Sequence, residues 1–145
     1  MHPAARTLLL ALALSACATS AAAEYVQIKL KATQRNAGNI GQATLVPRGE
    51  LTDVSATISG VPIGMTYPVR LYVYIYPGSC SQLGAQPAYA LNRTVQTYRQ
   101  GSADVWQLSR SAAVPLTRLL ATPHALVLRT PPADGNQDIF CGAIR

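Results

Sequence analysis

The sequence predicts an all-β protein, an antiparallel Greek-key β-sandwich or flattened barrel of seven or eight short strands. Three observations predict it. Apolar side chains recur at every second position in segment after segment. Clusters of Gly, Pro and Asn interrupt them at strand-length intervals, and no segment after residue 24 reads as a helix. A length of 145 residues suits one such domain.

In the first strand, Tyr25 to Lys31, Val26, Ile28 and Leu30 share one face and Gln27, Lys29 and Lys31 the other. Asn36 to Asn39 reads as a turn, Ile40 to Val46 as the second strand, and Pro47-Arg-Gly49 as the next turn. Leu51 to Ser59 turns Val54, Ala56 and Ile58 inward, with Asp53, Ser55 and Thr57 outward, and Gly60 to Gly64 then ends this meander. The clearest strand is Val69 to Tyr76. Val69, Leu71, Val73 and Ile75 form an aliphatic face suited to the core, and Arg70, Tyr72, Tyr74 and Tyr76 form an outer face. Pro77 to about Gln100 is a long, strand-poor loop, of the kind that is functional or pinned by a crosslink. Gly101 to Ser109 and His124 to Thr130 are further strands. Pro131 to Gly135 is a turn, and Asp138 to Ile144 closes the sheet.

Residues 1–23 stand outside this domain, which spans 24–145. Arg6, the apolar run from Thr7 to Leu14 and the small residues up to Ala23 follow the order of a secretory signal. The apolar run is shorter than the roughly 20 residues a bilayer-spanning helix needs. Two processing routes are open. Ala21-Ala22-Ala23 offers a signal-peptidase site before Glu24, and Leu14-Ser-Ala-Cys17 has the form of a bacterial lipobox, in which Cys17 is lipidated. The cysteine count favours the second. There are three cysteines, an odd number for an exported protein, and lipidation of Cys17 uses one of them. The expected location is therefore the bacterial periplasm, or the outer membrane through an N-terminal lipid.

Twelve Lys and Arg against six Asp and Glu give a net charge of +6. The basic residues, Arg110 among them, are scattered along the strands with no run and no basic helix. Solvated strand faces are expected, and a nucleic-acid partner is not.

The first half of the domain carries Gly38-Asn-Ile-Gly41, Ile58-Ser-Gly-Val61, a strand ending Tyr74-Ile-Tyr76, and Cys80. The second half carries Ala113-Val-Pro-Leu116, Ala125-Leu-Val-Leu-Arg129 and Cys141-Gly-Ala-Ile144. The order of these short motifs resembles the copper/zinc superoxide dismutase-like family, with the chordin-type repeat family as a second label. The resemblance covers residues 25 to 145 and implies a disulfide between Cys80 and Cys141. The chemistry of an exported chain agrees, because these are the two cysteines left in the domain.

The same resemblance locates what is missing. Tyr74 and Tyr76 stand where the family has a copper-binding His-x-His pair, and Arg129 stands where it has a further copper histidine. The loop from Pro77 to Val105 contains no His, and Asp104 is its one acid. The family's anion-guiding arginine is matched by Asp138, expected to repel an anion. Phenols and a guanidinium are poor copper and zinc ligands. His124, the one histidine of the domain, is expected to be a surface or core residue rather than a ligand. No cofactor is therefore expected.

Tyr72, Tyr74, Tyr76 and Arg129 form a candidate patch at this lost metal site. Two readings are open: a recognition surface, since Tyr and Arg favour interfaces, or aromatic packing that fills the vacated site. Tyr67, Tyr89, Tyr98 and Trp106 could extend either one. No phosphate loop, Cys-x-x-Cys pair or nucleophile elbow is present, and Asn92-Arg-Thr94 is a sequon without meaning in a bacterium. The expected function is non-catalytic binding or structural contact with an envelope partner the sequence does not identify. The alternative is a dismutase-type metalloprotein with an atypical site.

Overall fold

The structure, a computed structural model, describes residues 24–91, 98–99 and 105–145. The leader with Cys17, the sequon at Asn92, Asp104 and the start of the strand expected from Gly101 lie outside the described residues.

The chain is all-β and antiparallel. Seven strands of six to nine residues build the frame: β1 (Val26–Ala32), β2 (Ile40–Arg48), β3 (Leu51–Ile58), β4 (Tyr72–Ser79), β8 (Trp106–Ala112), β9 (His124–Arg129) and β10 (Asp138–Ile144). Among the described residues, three two-residue strands, β5 (Gln82–Leu83), β6 (Tyr89–Ala90) and β7 (Tyr98–Arg99), punctuate the loop between β4 and β8. The spatial order is β5-β4-β9-β10-β1-β2-β3-β8-β7, with β6 added to β4. After the β1-β2-β3 meander the chain crosses to β4, returns to place β8 beside β3, and crosses again to place β9 beside β4. These crossings make the Greek-key flattened barrel the alternation predicts.

The inward files match the expected alternation. Ile28, Leu30, Leu45, Val54, Ile58, Val73, Ile75, Leu126, Leu128 and Phe140 are buried in one core. Each such side chain contributes about 1.5–3 kcal/mol of burial. Gly142 explains why a residue without a side chain sits in the last strand. A Cβ there would lie 2.8 Å from the Lys29 carbonyl oxygen and 2.9 Å from a Leu30 methyl, so β1 and β10 can approach closely.

Four expectations need correction. The turn after β2 is not Pro47-Arg-Gly49: Pro47 pairs with Thr52 and Arg48 with Leu51, leaving Gly49 and Glu50 as the hairpin tip. Gly49 takes φ +61°, a conformation glycine adopts without strain. β4 runs from Tyr72 to Ser79 rather than from Val69 to Tyr76. Val69 and Leu71 are nevertheless buried, so the apolar pattern reports burial where the ladder has not begun. A short helix, α1 (Leu116–Ala121), follows Pro115 and buries Leu116 and Leu119 on one face. At six residues it is too short to display a period. Finally, β8 extends to Ala112, beyond the expected Ser109.

Candidate functional site

β9 is buried along five of its six residues, on both faces. Leu126 and Leu128 point into the main core. On the opposite face Ala125 and Val127 form a second, smaller cluster with Tyr76 and Cys141, against which Tyr74 and Leu83 pack. The loop after β4 is what covers this outer face. Cys80 at the end of β4 is bonded to Cys141 in β10 (Cα–Cα 5.9 Å, 61 residues apart in sequence), and β5 folds back along β4. The disulfide that the resemblance implies is therefore present.

The four patch residues come together on this face. Register pairs Tyr72 with Arg129 and Tyr74 with Val127. The Arg129 guanidinium carbon lies 5.0 Å from the Tyr74 ring centroid and 5.5 Å from that of Tyr76. Tyr74 meets Tyr72 edge-on at 6.4 Å and Tyr76 at a tilt, 6.1 Å away. A guanidinium held over aromatic faces gains about 0.5–2 kcal/mol, more as water is excluded.

Asp138 completes the cluster. A register shift in the β9–β10 ladder between Asp138 and Phe140 sets Asp138 opposite Arg129, the re-aiming a β-bulge provides. Arg129 Nε donates to Asp138 Oδ1 at 2.5 Å. The Asp138 carboxylate holds the Arg129 pKa above its ordinary value, with the Tyr76 hydroxyl acting in the same direction and burial opposing both. Asp138 was expected to repel an approaching anion; it faces Arg129 instead. Tyr76 was expected to keep its hydroxyl near water, but it is only 6% exposed, because the loop after β4 covers it.

His124 sits at the buried start of β9. Its Nδ1 lies 3.0 Å from the Leu119 carbonyl oxygen and 2.9 Å from that of Thr122, so this nitrogen donates and ties α1 to the sheet. Trp106 is part of the main core and Tyr89 packs against that core, whereas Tyr67 is exposed, so none of these three continues the patch. The Tyr98 side chain lies outside the described residues. Among the described residues no three His, Cys, Asp or Glu gather where one metal ion could be held.

Arg110 was not singled out by its sequence. It was grouped with solvated basic residues, yet it is 8% exposed and belongs to the inward file Trp106, Leu108, Arg110, Ala112. Nη1 donates to the Ser109 carbonyl oxygen at 2.6 Å, while Nε and Nη2 are buried without a hydrogen-bond partner among the described residues. Burial pushes its pKa down to about 10. The signal was legible: a cation two residues after Leu108 and two before Ala112 stands on an apolar face.

No family model matches this chain, and neither a curated protein nor a solved structure matches it. The fold and the site thus define a class by architecture alone, a disulfide-tied antiparallel flattened barrel with an aromatic–guanidinium cluster on its outer face. No helix among the described residues is long and apolar enough to cross a membrane.

Proposed function

We propose that this chain is an exported, non-catalytic envelope protein of the dismutase-like class, held in the periplasm or anchored by a lipid on Cys17, and acting by binding or structural contact. One observation carries the reading. Where the resemblance puts copper ligands stand Tyr74, Tyr76 and Arg129, and the arginine is already neutralised by Asp138 at 2.5 Å. A cation approaching this cluster meets a guanidinium whose counter-charge is taken, and phenols in place of the imidazoles that suit copper. The cluster supports the packing reading of the patch over the recognition reading, because its charges and rings satisfy one another. The Cys80–Cys141 bond supports an oxidising compartment.

Metal analysis of the purified protein after copper and zinc loading tests the proposal. The expected result is no stoichiometric metal. Stoichiometric copper or zinc, with superoxide turnover above a free-metal control, would overturn it. Mass spectrometry of the mature N-terminus distinguishes a lipidated Cys17 from a start at Glu24. An unprocessed Met1 would sink the exported reading.

A further inference from the structure

Arg110 lies on the inner face of β8, opposite Val54 of β3 in register. It lines a cleft of about 1100 Å³ between the β3–β8 edge and β6. In an arginine, Nε and Nη2 present two parallel N–H groups along one edge, the edge that grips both oxygens of a carboxylate. Arg48, in the same cleft, uses that edge on Asp53, with Nε to Oδ2 at 2.6 Å and Nη2 to Oδ1 at 2.9 Å. In Arg110 the same two atoms are the ones left without a hydrogen-bond partner among the described residues. Asp53 cannot serve both. It lies on the outer face of β3, paired with Ser111, and its oxygens already accept from Arg48 and the Ser111 hydroxyl. A buried cation with an unmet donor pair costs stability that a bound anion recovers.

We infer that the cleft is a binding site for a small free carboxylate with a short apolar body, gripped by the Nε–Nη2 edge of Arg110. The wall fits that body, since Leu51, Tyr89, Ala90, Leu91 and Ala112 line the cleft together with Arg110. Neither donor atom is open to water, so the ligand enters by displacing part of the wall. β6 is the part held by the shortest ladder, two residues paired with β4 and flanked by the Ala88–Ile75 and Leu91–Val73 backbone hydrogen bonds. This site is separate from the aromatic cluster and does not depend on the dismutase-like reading.

Butyrate, its neutral isostere butyramide and inorganic phosphate, each titrated into the isotopically labelled protein to about 10 mM, test the inference over the millimolar affinity range. The Arg110 Nε–H resonance and the Ser109 and Ser111 amides are the readout. Saturable shifts with butyrate, at least about tenfold weaker with butyramide, are expected for a charge-assisted grip. Arg110→Gln should abolish them while the remaining amide spectrum keeps its dispersion. If Arg110→Gln does not fold, the butyrate–butyramide comparison at the Arg110 resonance of the unaltered protein decides. No shift at Arg110 would overturn the site. Equal response to butyramide or to phosphate would overturn the carboxylate class. A response only to a peptide bearing a C-terminal carboxylate, and not to butyrate, would overturn a free small ligand.

Discussion

Two arginines on strands set well apart in one barrel, β9 and β8, meet opposite fates. Arg129 ends β9 on the outer face, where a bulge in β10 brings it Asp138 and the adjacent strand β4 brings it two tyrosine rings. Arg110 sits mid-strand in β8 on the inner face, where its neighbours are aliphatic and two of its three guanidinium nitrogens have no hydrogen-bond partner among the described residues. The first cation consolidates the fold, and the second burdens it. The difference teaches that a charge in a strand is stabilising or costly according to what the adjacent strand and covering loop supply, not according to its own strand's pattern.

The largest break of this comparison removes the tie over the Arg129 side. Replacing Cys80 and Cys141 together with Ser should lower stability by roughly 4 kcal/mol, the chain-entropy figure for a loop of this size. Denaturant unfolding measures it, and a loss under about 1 kcal/mol would mean that the outer cluster holds itself together.

Next comes Arg129→Ala, which leaves Asp138 half-covered and unpaired and should cost about 1–3 kcal/mol. Adding Tyr74→Ala should lower stability further. An unchanged melting temperature together with a lost pull-down partner would restore the recognition reading of the patch.

The opposite sign is expected at Arg110. Arg110→Met should raise stability in the absence of ligand by about 1–2 kcal/mol, because a buried unpaired charge gives way to an apolar side chain. The sign with pH also follows. Since the folded Arg110 pKa is lowered to about 10, the unfolded chain holds more protons than the folded one between that value and the ordinary arginine range. The parent protein therefore gains stability relative to Arg110→Met as pH rises above about 10. A gap that stays constant across that range would show that the guanidinium is not desolvated.

The smallest effect belongs to Asp53. Arg48 and the Ser111 hydroxyl hold its pKa below the ordinary carboxylate value. Its contribution is present above about pH 4 and fades as pH falls through the lowered folded value. Because the pair is exposed, added salt should remove most of the difference between the parent and Asp53→Asn in acid melts.

Much of the fold was legible because a half-buried strand writes its two faces into alternate residues. The faces of β1, β3 and β4 follow from that rule, even where Val69 and Leu71 lie outside the ladder. The helix Leu116–Ala121 was not legible, since six residues make less than two turns and Pro115 conceals its start. The Pro47 turn was misread for a related reason. A proline stops a strand only where its N–H is needed, and Pro47 sits where β2 continues through it to Arg48. Of the site, the grouping of Tyr72, Tyr74, Tyr76 and Arg129 was legible through the resemblance. The burial of Tyr76 was not, because it depends on a covering loop rather than on its own strand.

The sequence by itself determined which side chains share a face, the cysteines available to pair, and the aromatic residues that β4 offers to its outer face. Only the tertiary structure decided which charges found partners. Arg129 and Asp138 meet through a ladder and its bulge, and Cys80 reaches Cys141 across 61 residues. Arg110 is left facing aliphatic neighbours by the packing of β3 and β8. Periodicity is a property of one strand, whereas the compensation of a charge needs groups from several, and their approach is set by register and loop closure rather than by local composition.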